Sequence, residues 1–218
     1  MRVILLGAPG SGKGTQSVLI QEEYGVPQVS TGDILRQAIA KETQVGLKAK
    51  EFVSSGAYVP DDVILELVRN RLDEADTEKG FILDGFPRTR AQAEGLDVIF
   101  EEKDISLTQA IRIVVSLESI VERVTSRRVC GECGAVYNLL SLPPKEEGIC
   151  DRCGAKDLRQ RPDDTEETVR GRLTTYEKLT APLVDLYDAR GQLAVVQGDK
   201  PVEEVFAEIR KILGESNG

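Results

Sequence analysis

The first residues whose types and spacing could do chemistry form a glycine-rich stretch near the start of the chain. Residues 7–15 read GAPGSGKGT and contain Gly-x4-Gly-Lys, ending at Lys13. Glycines let successive backbone N–H groups curl around a phosphate, and a following helix adds the positive end of its dipole. Lys13 supplies a charge for terminal phosphates, and Thr15 supplies an oxygen on the metal side. This glycine loop predicts a polyphosphate site, with a tight turn that binds nothing as the alternative.

The four cysteines form the second chemical group. They are spaced as Cys130-x2-Cys133-x16-Cys150-x2-Cys153. Two such pairs predict a tetrahedral zinc site, and four thiolate ligands leave no open position for catalysis, so the metal would be structural. Disulfides and a bound iron ion are the competing interpretations. Residues 129–160 hold too few large apolar side chains for a core of their own, which is a physical reason for a metal.

A third group follows the apolar run Phe81-Ile82-Leu83. Asp84 ends this run, and Gly85 and Arg88 come directly after it. A carboxylate at the end of a strand beside a phosphate loop suits Mg²⁺, which prefers oxygen ligands and keeps several waters. We therefore expect Asp84 to hold magnesium through water, because Mg²⁺ stays hydrated, and the alternative is a carboxylate that caps a turn.

Arginines are concentrated in the second half of the chain, while the chain contains no histidine. Ten basic and ten acidic residues lie between Ser119 and Arg172, although the whole chain carries a net charge of −9. A local guanidinium cluster in an acidic protein suits a small, multiply charged anion. Surface ion pairs on a helix are the alternative for each arginine.

The elements that must position these residues alternate between strand and helix. Continuous apolar runs at 2–6, 81–83, 111–115 and 193–196 predict buried strands, and helical patterns separate them. Such alternation predicts an α/β fold with a parallel sheet covered on both faces. The last helix follows Pro201, with apolar residues at helical spacing from Val202 to Ile212.

Two stretches interrupt the alternation and look like insertions. Residues 30–60 are amphipathic and helical without a strand-like run, and residues 130–161 contain Gly, Cys and Pro with little periodicity. After the second stretch, residues 163–167 offer helix-capping oxygens and acidic residues for a first turn. The helix that follows is expected to kink at Pro182.

Composition limits the function classes. A length of 218 residues with 40% hydrophobic and 30% charged residues is ordinary for one globular core with small insertions. No run of about 20 apolar residues exists for a membrane span. The net charge of −9 is a poor match to a protein that grips nucleic acid. The expectation is a cytoplasmic protein with no membrane and no nucleic-acid partner.

Several motifs, in order along the whole chain, resemble those of the adenylate kinase family, a branch of the nucleoside monophosphate kinases. They are residues 7–15, 30–36 (STGDILR), 83–89 (LDGFPRT) with Gln92, Arg127-Arg128, 161–164 (RPDD), 170–172 (RGR) and Gly198. The resemblance implies the reaction MgATP + AMP ⇌ 2 ADP, in a protein that is usually monomeric.

The resemblance also implies an architecture. It is a P-loop three-layer α/β fold with a central parallel five-stranded sheet, a small helical insertion that binds the nucleoside monophosphate, and a zinc-ribbon-like lid. The core would comprise 1–29, 60–126 and 165–218, the NMP-binding insertion 30–59, and the lid segment 127–164. Within the family only a subset carries metal in the lid.

Site residues carried over by position fall into two groups. The resemblance implies that AMP is bound by Thr31, Gly32, Arg36, Val59, Gly85, Arg88, Gln92, Arg161 and Arg172. It implies that ATP is bound by Gly10, Ser11, Gly12, Lys13, Gly14, Thr15, Arg123, Arg127, Val136, Tyr137, Gly198 and Lys200. The residues expected to act on the transferring phosphoryl group are Lys13, Arg88, Arg123, Arg127, Arg161 and Arg172.

Two other functions stay open at this point. A kinase for UMP or CMP has the same chemistry, although Thr31 favours AMP within the family. A nucleic-acid-binding protein with a four-cysteine ribbon and an ATP switch belongs to a different class, but the acidic charge and the five Phe and five Tyr argue against it.

Overall fold

The computed structural model describes residues 1–55 and 57–215. Residue 56 of the expected insertion and residues 216–218 of the expected core lie outside the described residues. Within the described part, five parallel strands form one sheet in the order β2-β3-β1-β4-β8. They are β1 (Arg2–Leu6), β2 (Gln28–Ser30), β3 (Phe81–Asp84), β4 (Gln109–Val114) and β8 (Leu193–Gln197).

Helices connect these strands and cover both faces of the sheet. They are α1 (Lys13–Tyr24), α2 (Thr31–Ala40), α3 (Gln44–Ser55), α4 (Asp61–Leu72), α5 (Arg90–Glu102), α6 (Leu117–Thr125), α7 (Glu166–Thr175), α8 (Leu183–Ala189) and α9 (Val202–Glu215). None of the helices within 1–55 and 57–215 has the length and apolar run needed to cross a bilayer.

The alternating side chains of β1 divide the core into two layers. Ile4 and Leu6 pack in one cluster with residues of α4, α5 and α8. Val3 and Leu5 pack in a second cluster with residues of α1 and α9. Because side chains of a strand alternate between faces, one buried strand supports helices on both sides. The predicted three-layer α/β fold is confirmed.

The edge strand β2 was not predicted from local pattern. Only Val29 of its three residues is fully buried and apolar, so no periodicity marks it. It forms because it pairs in parallel with β3, with Ser30 opposite Asp84. This pairing places the start of α2 beside the carboxyl end of β3.

A wide turn interrupts the helix that begins at Glu166. Residues Tyr176–Thr180 form a π-helical turn, in which Ala181 N donates to Tyr176 O at 2.9 Å. The predicted break near Pro182 is therefore present, but it starts six residues earlier than the proline. Pro182 has no N–H to continue an α-helix. The preceding turn is therefore closed by a hydrogen bond between residues five positions apart, and a new helix, α8, begins after the proline.

The cysteine-containing stretch forms a second, antiparallel sheet. It consists of β5 (Arg127–Cys130), β6 (Val136–Asn138) and β7 (Leu158–Arg159), with β5 in the centre. The division of the chain into core, insertion and lid segment stays a prediction.

Candidate active site

The glycine loop leaves the carboxyl end of β1, at the centre of the sheet, and runs into α1. Gly10 and Gly12 have φ of 81° and 96°, which disfavours any residue with a side chain. A Cβ on Gly10 would also lie 2.7 Å from Val124 Cγ2, so α6 packs directly against the loop. The N-cap residue of α1 is Gly12, which has no side chain with which to cap the helix. The loop thus presents its own backbone and the helix N-terminus to a ligand, with Ser11 buried beneath it.

Lys13 lies at the first position of α1 and folds back over the loop, ahead of Gly14 and Thr15 in the same turn. Its ammonium group donates to Gly7 O at 2.8 Å and to Ala8 O at 2.9 Å. Burial lowers the pKa of Lys13 to about 8, although the nearby Asp84 carboxylate favours the charged form. An ammonium group so destabilised gains strongly from an anionic partner.

Asp84 ends β3 beside the glycine loop. Its Oδ2 accepts a hydrogen bond from Gln28 Nε2 at 2.8 Å, and a Cβ on Gly14 would lie 3.6 Å from the same oxygen. The neutral Gln28 amide fixes the Asp84 carboxylate without neutralising it. The remaining lone pairs of the carboxylate can therefore accept hydrogen bonds from the waters of a hydrated cation. The donor set therefore fits Mg²⁺ bound through water.

Arg88 lies after β3, where its backbone and side chain are both held in place. Its Nε donates to Gly85 O at 2.6 Å, and its backbone N donates to Gln92 Oε1 at 2.8 Å. Thr31 Oγ1 donates to the same carbonyl of Gly85 at 3.0 Å. Burial lowers the pKa of Arg88. Four predicted AMP-binding residues thus meet in one group of contacts, and Val59 is buried in the adjoining core cluster.

Asp33 joins two more of the predicted arginines. Its Oδ1 lies 2.6 Å from Arg36 Nη2 and 3.5 Å from Arg161 Nη2, and a Cβ on Gly32 would lie 3.1 Å from Arg36 Nη2. Burial opposes the ionisation of Asp33, but the Arg36 guanidinium outweighs it and holds the pKa of that carboxyl below its ordinary value. Burial, together with Arg36 and Arg127, lowers the pKa of Arg161 to about 10. The cluster therefore carries an excess of positive charge in a partly desolvated place.

Two further arginines pair with consecutive aspartates. Arg127 forms a two-point ion pair with Asp164, in which Nε lies 2.8 Å from Oδ2, and Arg172 pairs with Asp163. Asp164 is 0% exposed. Burial works against the charge on Arg127, but the Asp164 hydrogen bond outweighs it and raises the pKa of Arg127. Asp163 and Asp164 thus orient arginines, and Thr165 supplies the cap of α7 by accepting from Thr168 N.

Replacing Asp164 with alanine is expected to lower the free energy of unfolding by about 3–5 kcal/mol, since it removes a buried carboxylate and leaves the partly buried Arg127 guanidinium unpaired. The matched control is Asp157→Ala, which removes an exposed pair with Arg159 and should cost under about 1 kcal/mol. Urea denaturation of both variants measures the difference. Equal losses in the two variants would show that the Asp164 pair is not the stabilising feature.

The predicted adenine side of the ATP site is brought together in part. Arg123 Nη2 donates to Gly198 O at 3.0 Å and lies 3.5 Å from Asp199 Oδ1. A Cβ on Gly198 would lie 2.7 Å from Ile113 Cγ2, so this glycine also has a packing role. Lys200 lies on the same side of the sheet and pairs with Glu208 of α9.

Val136 and Tyr137 lie on β6, in the cysteine-containing sheet. Val136 is exposed, whereas the Tyr137 side chain is buried against the cysteines. The Tyr137 hydroxyl accepts from Asp151 N at 2.7 Å and lies 3.4 Å from Cys150 Sγ. The hydrogen bond from the Tyr137 hydroxyl to Cys150 Sγ lowers the pKa of the Cys150 thiol to about 6. Of these two predicted ATP contacts, the Val136 side chain is exposed, whereas the Tyr137 side chain is occupied by its contacts with the cysteine cluster.

The four cysteines form one compact cluster. Their Sγ atoms all lie within 4.8 Å of one another, and the pairs Cys130–Cys153 and Cys133–Cys150 are each 3.6 Å apart. Two thiolates bound to one tetrahedral zinc ion at about 2.3 Å lie roughly 3.8 Å apart. All four cysteines are free thiols rather than disulfides. The distances and the donor set fit a zinc ion.

Sequence reasoning missed the residues that hold the arginines and Asp84. They are Gln28, Asp33, Tyr58, Asp163, Asp164 and Thr180. The spacing of Asp33 and Arg36, three residues apart in one helix, was the one local signal that could have revealed a pair. The other partners are separated by at least nine positions, more than two helical turns, so no local spacing relates them.

Comparison with known proteins gives consistent matches over almost the whole chain. The family model for adenylate kinase matches residues 5–192. The adenylate kinase of Archaeoglobus fulgidus is 52% identical over 213 residues, covering 98% of each chain. That of Clostridium tetani is 49% identical over 217 residues, covering 100% of each. That of Caldicellulosiruptor bescii is 47% identical over 214 residues, covering 98% of this chain and 99% of the relative.

Proposed function

The chain belongs to the adenylate kinase family, and from this premise we propose that it transfers the terminal phosphoryl group of ATP to AMP, giving two ADP. One observation carries the proposal beyond family membership. The glycine loop with Lys13 follows β1, and Arg88 follows the paired strand β3, which ends at Asp84; Arg88 lies close enough to Lys13 to contribute to the lowering of its pKa. A triphosphate on one side would face an acceptor on the other.

We assign the glycine loop, Arg123 and Gly198 to ATP. The backbone N–H groups of residues 10–15 would bind the β and γ phosphates, and the Lys13 ammonium would turn from the Gly7 and Ala8 carbonyls to them. The Arg123 guanidinium lies against the Gly198 carbonyl, which suits stacking on the adenine. Val136, Tyr137 and Lys200 would close the site from the sides.

We assign the contacts around Gly85 to AMP. Arg88 and Arg36 offer guanidinium groups to the AMP phosphate, while Gln92 and the Thr31 side chain lie at the base of the pocket. Gly32, Val59 and Gly85 would allow the nucleoside to approach the backbone. Arg161 and Arg172 would join them, since Arg161 lies near Asp33, the partner of Arg36, and Arg172 is close enough to Arg88 to contribute to the lowering of its pKa.

The chemistry requires positioning and charge stabilisation. An oxygen of the AMP phosphate attacks the γ phosphorus of ATP, the bond from that phosphorus to the bridging oxygen breaks, and ADP leaves with the electron pair. The acceptor is already an oxyanion, so no general base is needed, in agreement with a chain that has no histidine. Lys13, Arg127, Arg161 and Arg172 would neutralise the charge on the transferring group.

Two metals complete the proposal. Adenylate kinases use Mg²⁺ with ATP, and Asp84 would hold it through water, where it neutralises phosphate charge. Zinc on Cys130, Cys133, Cys150 and Cys153 would stabilise the lid segment without any part in the chemistry.

We further propose that the protein works as a monomer in the cytoplasm and binds neither nucleic acid nor membrane. Its four thiols are close together yet unbonded, which suits a reducing compartment. The net charge of −9 opposes binding to a polyanion.

A coupled assay of ATP with AMP, UMP, CMP and GMP in turn tests the assignment. We expect AMP to give the highest kcat/KM by at least about tenfold, because a site that hydrogen-bonds one base leaves polar groups unpaired with another. A higher kcat/KM for UMP or CMP would contradict the proposal and favour a pyrimidine nucleotide kinase.

A further inference from the structure

Tyr58 lies where the chain returns from α3 to α4, directly beneath Arg88. The Arg88 guanidinium carbon lies 5.1 Å from the centroid of the Tyr58 ring. The Tyr58 hydroxyl lies 2.8 Å from Thr180 Oγ1. One side chain thus contacts the guanidinium through its ring and the π-turn before α8 through its hydroxyl.

The direction of the hydrogen bonds follows from the number of protons. Thr180 Oγ1 donates its single proton to Arg88 O at 2.8 Å. The hydrogen bond between the two hydroxyls must then run from Tyr58 to Thr180. The result is a chain from Tyr58 through Thr180 to the backbone of Arg88, in which each bond polarises the next.

The π-turn is what brings Thr180 to this place. In a regular α-helix each residue turns by about 100°, so the additional residue in the Tyr176–Thr180 turn rotates the side chains that follow it. Thr180 is buried as a result, with both hydrogen bonds satisfied. Such single π-turns often occur at functional sites.

Arg88 is consequently fixed at four points. Gln92 accepts from its backbone N–H, Thr180 donates to its carbonyl, Gly85 accepts from Nε, and the Tyr58 ring covers one face. Within residues 1–55 and 57–215 the Nη atoms of Arg88 donate no hydrogen bond, so this edge of the guanidinium can bind an anion in the plane of the group. An arginine held in this way loses little rotamer entropy when it binds phosphate.

We propose that Tyr58 and Thr180 are positioning residues that fix the Arg88 guanidinium for the phosphate of the acceptor nucleotide. The inference rests on the proposed function, since it takes Arg88 as the AMP-binding arginine. Binding of the acceptor nucleotide then depends on Tyr58, between α3 and α4, and on the π-turn that carries Thr180.

The test measures AMP and ATP binding by calorimetry, together with KM for each and kcat, in Tyr58→Phe, Tyr58→Leu and Thr180→Val. Losing the aryl face in Tyr58→Leu should weaken AMP binding by about tenfold, and losing only the hydroxyl in Tyr58→Phe by about threefold. ATP binding should stay unchanged. The matched control is Tyr24→Phe, whose hydroxyl lies 3.5 Å from Arg210 O on α9.

A double variant tests the hydrogen-bonded chain itself. Because the Tyr58 hydroxyl acts through Thr180, Tyr58→Phe should add nothing to the loss in Thr180→Val. Normal AMP affinity in folded Tyr58→Leu would overturn the proposal, as would equal losses of AMP and ATP affinity. If wild type prefers another monophosphate, the proposed function fails, and the same series with that nucleotide still decides the role of Tyr58.

Discussion

Replacing Lys13 with methionine is expected to lower kcat for ADP formation by about 10³-fold while the protein stays folded. The ammonium group is the one cation on the glycine loop itself, and the other hydrogen-bond donors of the loop are neutral: its backbone N–H groups and the hydroxyls of Ser11 and Thr15. A methionine fills similar space without the charge, so the transition state loses a fixed counter-charge on its terminal phosphates. Steady-state kinetics with ATP and AMP, alongside a thermal melt, measure the loss.

Lys103→Met is the matched control. Lys103 pairs with Asp73 on the surface, outside the candidate site, and its loss should leave kcat unchanged within about twofold. Turnover of Lys13→Met near that of the control would show that the glycine loop is not the site of phosphoryl transfer.

The pKa of Lys13 allows a second test of its role, by the pH dependence of ATP binding. Burial lowers this pKa to about 8 in the free protein. A bound triphosphate favours the ammonium form, so above pH 8 binding must take up a proton, and ATP affinity falls as pH rises. Calorimetry should find binding about tenfold weaker at pH 9 than at pH 7, and the Lys13→Met variant should show no such dependence.

Removing metal from the cysteine cluster is expected to have the second large effect. Structural zinc contributes on the order of 10–16 kcal/mol in small peptide sites, and the cluster at Cys130, Cys133, Cys150 and Cys153 includes few other buried side chains. Chelation, or Cys133→Ser, should therefore unfold the lid segment locally while the central sheet persists. Hydrogen exchange should rise by orders of magnitude in residues 127–164 and stay slow in β1 and β4.

Native mass spectrometry supplies the control for the metal experiment. Freshly purified protein should carry one metal ion per chain, and Cys133→Ser should carry none. Depleting only magnesium should leave exchange in the lid segment unchanged. Purified protein without any bound ion, or exchange that rises equally in the central sheet, would contradict a structural zinc in this segment.

The strands of the core were predictable because each is a short apolar run with both faces buried. The runs predicted at 2–6, 81–83, 111–115 and 193–196 correspond to β1, β3, β4 and β8. Strand β2 was not predictable in this way, because Gln28 and Ser30 flank a single buried valine. Its strand geometry comes from pairing with β3 rather than from any local preference.

The candidate site was predictable where backbone geometry or ligand spacing dictates residue type. Glycines at positive φ and paired cysteines each leave a pattern in the sequence. The loop glycines have the positive φ that this pattern predicts, and the four cysteines lie together as their spacing predicts. Aspartates that orient arginines leave no local sequence pattern when the partners are distant in the chain, as Arg127 and Asp164 are at 37 positions apart. The Tyr58–Thr180 contact spans 122 positions. It also depends on the π-helical form of the turn before Pro182, and the sequence predicted only that the helix breaks there.

The acidic partners also explain how a cluster of cations persists in a folded chain. Asp33, Asp163 and Asp164 each pair with an arginine and hold it in one orientation. Like charges gathered without such partners would repel one another and lose side-chain order. The guanidinium groups are therefore arranged before substrate binds, which is the condition for electrostatic stabilisation of a transition state.

The most direct measurement is a crystal structure with a bisubstrate mimic, in which two adenosines are joined through a chain of phosphates. We expect one adenosine beside Arg123 and Gly198, the phosphates over the glycine loop and Lys13, and the other adenosine beside Thr31 and Gln92. A mimic bound away from the glycine loop, or with both adenosines on one side of Asp84, would contradict this expectation.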